Sequence, residues 1–112
     1  MKYDTYQKGN YQVIKIDEVL NLLSDINELE NVVNGFLEKG NTHVALSFKE
    51  GSYLFSSTGS VLVRCWENIK DNNGKLALVN VNEDILDFLR VIDFESAINI
   101  YNSEEDLTTE AE

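Results

Sequence analysis

Short apolar segments with strand character alternate along this chain with segments of helical periodicity, and this alternation restricts the fold most. Residues 75–81 (Lys-Leu-Ala-Leu-Val-Asn-Val) form the clearest strand, and residues 43–48 and 11–16 have similar apolar, β-branched character. Residues 1–6 are expected to pair with 11–16 as a hairpin, and residues 96–101 contain one more short strand. We therefore predict four to five strands.

Three segments repeat apolar residues every three and four positions, as expected for helices that pack one face against a core. The first stripe consists of Leu29, Val32, Val33, Phe36 and Leu37. The second consists of Val61, Leu62, Cys65, Trp66 and Ile69, and the third of Ile85, Phe88, Leu89 and Ile92. A fourth, frayed helix is predicted from Ser103 to Leu107.

Polar residues and glycine mark the ends of these helices. Asp25, with Glu28 three positions later, predicts an N-cap and its capping-box partner, and Asn82 opens the third helix. Gly40 is placed to end the first helix as a C-cap glycine, and residues 72–74 (Asn-Asn-Gly) stop the second. These signals separate the helices from the strands that precede and follow them.

The resulting order of elements is β-β-α-β-α-β-α-β-α. Alternating strands and helices favour a mostly parallel sheet with right-handed crossovers, and the initial hairpin makes that sheet mixed. A chain of 112 residues has the length of one domain. We predict a single α/β domain over residues 1–107, with about four helices, followed by a flexible acidic tail at residues 108–112.

Charge and composition restrict the class of partner. The net charge of −11 repels nucleic acid phosphates and anionic lipid. The chain has no apolar run of about 18 residues for a membrane span, and its first residues form no apolar signal region. Its single cysteine has no partner for an internal disulfide. We therefore expect a cytoplasmic protein that neither binds nucleic acid nor inserts into a membrane.

Residues that carry catalytic or metal chemistry are sparse. His43 and Cys65 are the only histidine and cysteine, and their positions predict a strand histidine and a core cysteine. The glycines of residues 51–59 lack the Lys-Ser/Thr ending of a phosphate-binding loop. Glu83 and Asp84 fall at a helix start, where acids favour the helix dipole. The sequence thus predicts no cofactor, no metal site and no enzyme.

One polar segment stands out immediately before the second helix: Phe55-Ser56-Ser57-Thr58-Gly59-Ser60. Three consecutive hydroxyls suit a helix N-terminus, because a side-chain oxygen there accepts a backbone N–H that lacks a helical partner. By itself this pattern predicts an N-cap. Phe55 is predicted to anchor an interface if it is exposed, and to be ordinary core if it points inward.

Around this segment the chain resembles the STAS domain, the family of bacterial anti-sigma-factor antagonists. The family pattern is an apolar strand, a loop ending Asp-Ser-Ser-Gly-Leu-Gly, a helix, then Gly-Gly and another apolar strand. Residues 44–80 fit this pattern without a gap, and the order of elements resembles the family over almost the whole chain. Ser56 and Ser57 match the two serines, whereas Phe55, Thr58 and Gly59 stand where the family has Asp, Gly and Leu.

The resemblance implies a partner-switching regulator of transcription. Such a domain binds a serine-kinase anti-sigma factor, is phosphorylated on the second serine and then dissociates, and a phosphatase reverses the switch. Carried over by position, Ser57 is the phosphoacceptor, with Ser56 and Thr58 as alternatives, and residues 55–60 form the partner-binding surface. The altered motif leaves a second interpretation open: a STAS-like scaffold or accessory subunit of a signalling or transport complex that is never phosphorylated.

Overall fold

Five strands form one mixed sheet in the spatial order β1-β2-β3-β4-β5. The computed structural model describes residues 1–21 and 23–109. Within them the elements are β1 (Tyr3–Lys8), β2 (Tyr11–Ile16), α1 (Glu28–Glu38), β3 (His43–Ser47), α2 (Ser56–Asp71), β4 (Lys75–Val79), α3 (Glu83–Val91), β5 (Asn99–Tyr101) and a 3₁₀ helix, Glu104–Thr109. The β1–β2 pair is antiparallel, and β2 to β5 are parallel to their neighbours. The predicted α/β fold with a mixed, mostly parallel sheet is confirmed.

The fourth predicted helix forms as a 3₁₀ helix, so the described residues contain three α-helices. Its six residues are too few for a stable α-helix, and two of them are β-branched threonines, which favour helix weakly. Residues 110–112 of the predicted acidic tail lie outside the described residues. The tail therefore stays a prediction.

The main core lies between one face of the sheet and the three α-helices. Ile14, Leu46 and Leu78 point to this side from three adjacent strands, and Leu62 and Leu89 meet them from α2 and α3. All five are almost inaccessible to solvent. Burial of each such side chain contributes about 1.5–3 kcal/mol, so this layer accounts for most of the driving force that holds the helices on the sheet.

The opposite face of the sheet carries a second, smaller apolar cluster, formed by Tyr11, Val13, Ala45, Ala77, Val79 and Leu107. Leu107 comes from the 3₁₀ helix, which also packs on the hairpin turn. A Cβ added to Gly9, whose φ is +60°, would lie 3.1 Å from the Leu107 carbonyl oxygen. Tyr6 and Lys8 hold the same helix through Glu104 (2.6 Å) and Glu105 (3.1 Å). The C-terminal segment thus covers the side that the α-helices leave open.

Several predicted helix ends are confirmed. Gly40, at φ +84°, follows the last turn of α1, and the N–H groups of Gly40 and Asn41 donate to the carbonyls of Leu37 and Phe36. Asn82 caps α3, with its Oδ1 accepting the Ile85 N–H at 2.8 Å.

Other predicted details are wrong. Asp25 does not cap α1, because its Oδ1 accepts the N–H of Asn27 at 2.9 Å and the helix begins only at Glu28. Strand β4 ends at Val79 rather than at residue 81, because Asn80 adopts a left-handed φ of 59°. Ile92, predicted on a buried helix stripe, follows the last residue of α3 and is 38% exposed.

Candidate functional site

The carboxyl ends of β2, β3 and β4 lie at one edge of the sheet, and the loop before α2 is fixed there. The Leu20 N–H donates to the Ser52 hydroxyl (3.0 Å), and the Tyr53 N–H donates to the Leu20 carbonyl (2.8 Å). From the other side, the Asn82 amide donates to the Ser52 carbonyl at 2.9 Å. The two neighbouring loops therefore position the start of α2, as expected for a ligand or partner site at this edge of a parallel sheet.

Helix α2 begins without a hydroxyl at its N-cap. The N-cap residue is Phe55, with extended backbone (φ −121°, ψ 173°), and the three hydroxyl residues occupy the first three helical positions. Thr58 stabilises this start: its Oγ1 accepts the Phe55 N–H at 2.8 Å and donates to the Phe55 carbonyl at 3.0 Å. The predicted helix N-terminus is confirmed, and its capping group is Thr58, three residues inside the helix.

The three candidate phosphoacceptors differ in accessibility. Ser56 and Ser57 are exposed, whereas Thr58 is 2% exposed and its hydroxyl is engaged in the two bonds to Phe55. In the described part of the chain, the Ser57 hydroxyl has no hydrogen-bond partner. Ser60 is also exposed, and its hydroxyl donates to the Ser56 carbonyl at 2.8 Å. Ser57 is thus exposed, with its hydroxyl unpaired in that part of the chain.

Phe55 and Gly59 complete the segment. Phe55 is partly buried, between the two alternatives that the sequence left open. Gly59 is buried where α2 meets α3: a Cβ at this position would lie 2.3 Å from Cζ of Phe88. A glycine is therefore required for this close approach, although the family pattern has a leucine here.

A residue that sequence analysis assigned to another role lies beside Ser57. Asp25, together with Ser24 and Asn27, shares a depression of about 110 Å³ with Ser57 and Thr58. Its carboxylate brings negative charge to this depression, whereas the first turn of α2 itself contains no acid. Sequence spacing gives no signal for this proximity, because it arises from the packing of the loop before α1 against α2.

The electrostatics of the α2 start follow from that lack of acids. The first-turn N–H groups of a helix carry partial positive charge, which favours an anion there. Helix α3 compensates this charge with Glu83 and Asp84, and α1 does so with Glu28 and Glu30. Helix α2 has no acid in its first turn, so its positive end is left for other groups to neutralise.

The residues with catalytic potential are confined to structural positions. Cys65 is fully buried on the core side of α2, and burial raises the pKa of its thiol to about 12, so it is protonated at neutral pH. His43 in β3 makes an edge contact with Tyr11, with ring centroids 5.5 Å apart. Among residues 1–21 and 23–109, no group of three or more His, Cys, Asp or Glu side chains is arranged to hold a metal ion.

The fold and its serine-bearing helix start define a known class. The STAS domain family matches residues 2–107, and the chain therefore belongs to the STAS domain family. No curated protein sequence matches the chain at a significant level. In the described residues, no helix combines the length and apolar character needed to cross a membrane.

Solved structures of low sequence identity share the fold. The protein TM1081 of Thermotoga maritima, described as a candidate anti-sigma factor antagonist, is 20% identical over 98% of this chain and 88% of its own, with a TM-score of 0.79. An anti-sigma-factor antagonist (STAS) domain protein from Planctomyces limnophilus is 22% identical over 96% of each chain, with a TM-score of 0.68. The Bacillus cell fate determinant SpoIIAA, solved in its phosphorylated form, is 13% identical over 96% of this chain and 98% of its own, with a TM-score of 0.73.

Proposed function

We propose that this chain is an anti-sigma-factor antagonist-like regulator. In this proposal it binds a serine-kinase partner through residues 55–60, and phosphorylation of Ser57 releases that partner. The observation that carries the proposal is the placement of Ser57, an exposed serine with an unpaired hydroxyl in the first turn of a helix that has no acid there. Membership of the STAS family and the fold shared with anti-sigma-factor antagonists support it.

The modification is a phosphoryl transfer for which the partner supplies the nucleotide. Oγ of Ser57 bonds to the γ-phosphorus of ATP, the bond from that phosphorus to the β–γ bridging oxygen breaks, and ADP leaves. The hydroxyl proton passes to a base of the kinase. In this proposal no catalytic group of this chain takes part.

The folded domain tolerates the modified serine. A phosphate adds about −1.5 to −2 charges, and the positive end of α2 stabilises negative charge there by about 0.3–1 kcal/mol. Asp25, across the small depression, opposes this with like charge. The main effect of the phosphate falls on the interface, where the partner has to desolvate a dianion. A tenfold loss of affinity requires only about 1.4 kcal/mol.

The geometry disfavours Thr58 as the acceptor. The hydroxyl of Thr58 is buried and held by Phe55, so its modification requires the helix start to open. Ser56 is exposed and, like Ser57, has a hydroxyl without a hydrogen-bond partner in the described residues, so the choice of Ser57 rests on its position in the STAS motif. Ser56 is therefore the matched control: an exposed serine in the same helical turn.

The test is to incubate the protein with ATP-Mg and a kinase-fold partner encoded beside it, and to locate phosphate by peptide mass spectrometry. We expect one phosphate on Ser57, lost in Ser57→Ala and retained in Ser56→Ala. A dephosphorylating enzyme restores partner binding. Phosphate that persists in Ser57→Ala would contradict the assignment of Ser57.

The partly buried Phe55 favours a second candidate, a STAS-like scaffold or accessory subunit. An apolar side chain stands here beside the serines, at a position where the family has a carboxylate, and it suits a permanent apolar contact. A tight complex that forms without any phosphate on residues 55–60 supports this second candidate, and Phe55→Asp then disrupts it.

A further inference from the structure

An apolar groove of about 580 Å³ runs between α2 and α3, and its lining includes Ser56, Gly59 and Ser60 of the serine segment. Its apolar lining consists of Gly59, Val63, Trp66, Phe88, Val91, Ile92 and Phe94. Val91 is 81% exposed and Ile92 is 38% exposed, so the groove carries apolar surface that the fold itself does not cover. Exposed apolar patches of this kind mark interaction surfaces on soluble domains.

The groove is a built feature of the fold. Its floor exists because Gly59 has no side chain, which lets the Phe88 ring lie against the backbone of α2. Trp66 is fixed at one end by a hydrogen bond from its indole N–H to the Ala97 carbonyl (3.2 Å) and by an edge contact with Phe94 at 5.2 Å. Contacts within the fold therefore hold the floor and the Trp66 side of the groove.

The rim on the α3 side is acidic. Asp84 precedes Phe88 by four residues and Asp87 precedes Val91 by four, so on the helix these two carboxylates lie next to the apolar lining. Glu67 has the same relation to Val63 on α2. All three acids are exposed.

Two arginines near the groove are paired with acids, and Lys70 lies over the Trp66 ring, with its Nζ 5.0 Å from the ring centroid. Arg90 is held by Asp87 at 3.2 Å and by Glu95 at 3.3 Å. Arg64 turns towards α1, where its Nε lies 3.1 Å from Glu30. Asp84 and Glu67 have no basic partner among the described residues, so the rim keeps negative charge beside Lys70, in agreement with the net charge of −11 for the whole chain.

We propose that the α2–α3 groove binds a basic amphipathic helix of a protein partner, with apolar side chains in the groove and Lys or Arg side chains along the acidic rim. An amphipathic helix binds such a groove by placing its apolar face against the apolar floor. Ser56 lines the groove at the end next to Ser57. The binding of a basic helix in the groove does not depend on the proposed function. The further step, that this helix belongs to the partner released by phosphorylation, rests on the proposed function.

The test uses a synthetic helical peptide with leucines on one face and lysines on the other, titrated into the whole protein. Trp66 is the only tryptophan of the chain and lies in the groove, so its fluorescence reports binding directly. Two peptides serve as controls: one with glutamates in place of the lysines, and one of the same composition with the leucines scattered. We expect only the first to bind, and to shift the amide NMR signals of Val63, Val91 and Ile92.

Matched variants localise the binding. Ile92 and Ile100 are the same residue type with nearly equal exposure, 38% and 36%, and Ile100 lies on β5 away from the groove. We expect Ile92→Ser to lower the affinity for the peptide about tenfold, because the groove loses an apolar anchor. Ile100→Ser should leave that affinity unchanged. The double variant Asp84→Asn/Asp87→Asn is expected to lower the affinity for the peptide and to reduce the salt dependence of that affinity. Both changes should be larger than in the control double variant Asp4→Asn/Asp71→Asn.

The inference is overturned by equal binding of the glutamate or scattered peptide, by NMR shifts away from the groove, or by an Ile92→Ser variant that binds normally. Self-association of the protein that Ile92→Ser abolishes also overturns it, in favour of a second copy as occupant. Failure of the proposed function is distinguishable, because Ser57→Ala removes phosphorylation without changing peptide binding. Conversely, a kinase that modifies Ser57 equally well in Ile92→Ser contradicts a role of the groove in that complex.

Discussion

Helices α2 and α3 begin at the same edge of the sheet, after neighbouring parallel strands, yet their first turns are built differently. Helix α3 has an asparagine cap and two acids, Glu83 and Asp84, which neutralise its positive end. Helix α2 has an apolar N-cap residue, no first-turn acid and an exposed serine without a hydrogen-bond partner in the described part of the chain. Helix α3 thus neutralises its positive end with its own residues, whereas the first turn of α2 contains no acid that could do so.

The contact between Gly59 of α2 and Phe88 of α3 gives the largest expected effect. Gly59→Ala places a Cβ 2.3 Å from Phe88 Cζ, so the ring has to move, and we expect a loss of about 1–3 kcal/mol in the free energy of unfolding. In a Phe88→Ala background the same change should instead stabilise by about 1 kcal/mol, because alanine favours helix over glycine. Urea unfolding of the four proteins measures this cycle; equal effects in both backgrounds would refute the close approach.

Removal of the α3 cap is expected to have the next largest effect. Asn82→Ala loses the bond to the Ile85 N–H and the bond to the Ser52 carbonyl, and should destabilise by about 0.5–2 kcal/mol. Asn82→Asp keeps the capping oxygen and loses only the amide donor, so thermal unfolding should place it between Asn82→Ala and the unmodified protein. Equal stability of all three proteins would contradict the cap.

The α2 start depends instead on Thr58. Thr58→Val leaves the Phe55 N–H without its acceptor, and should lower the free energy of unfolding by about 0.5–1.5 kcal/mol. Thr58→Ser keeps the hydroxyl and is the control. If Thr58→Val and Thr58→Ser unfold at the same urea concentration, the two bonds to Phe55 do not stabilise the helix start.

The smallest expected effect comes from changing the charge in the first turns of α2 and α3. Ser57→Asp adds a first-turn acid to α2 and should stabilise by about 0.3–1 kcal/mol, whereas Glu83→Gln removes one from α3 and should destabilise by a similar amount. Asp25→Asn should increase the gain from Ser57→Asp, because the two carboxylates share one depression. Destabilisation by Ser57→Asp in low-salt thermal unfolding would show that the α2 start rejects negative charge.

Periodicity and turn residues predicted the fold because they report local chemistry. The apolar stripes of α1 and α2 and the cap at Asn82 each depend on residues within one or two turns. The same stripe, extended back from Val61, Leu62 and Cys65, places Thr58 on the buried face, so sequence alone contains a signal that separates Thr58 from Ser57.

The rest of the site depends on tertiary packing. Asp25 has the local pattern of a helix cap, and only the packing of its loop against α2 brings it beside Ser57. Gly59 has no sequence signal for its contact with Phe88, which lies on another helix. The acidic rim of the groove likewise requires the relative placement of α2 and α3.

Ser57 is proposed as a phosphorylation switch for partner binding. The most direct measurement is the affinity of the kinase-fold partner for the unmodified protein and for the protein phosphorylated on Ser57, by calorimetry, with the fold of each checked by circular dichroism. We predict a loss of affinity of about tenfold or more on phosphorylation with unchanged secondary structure. Equal affinity of the two forms would contradict the switch, and would favour a permanent scaffold anchored at Phe55.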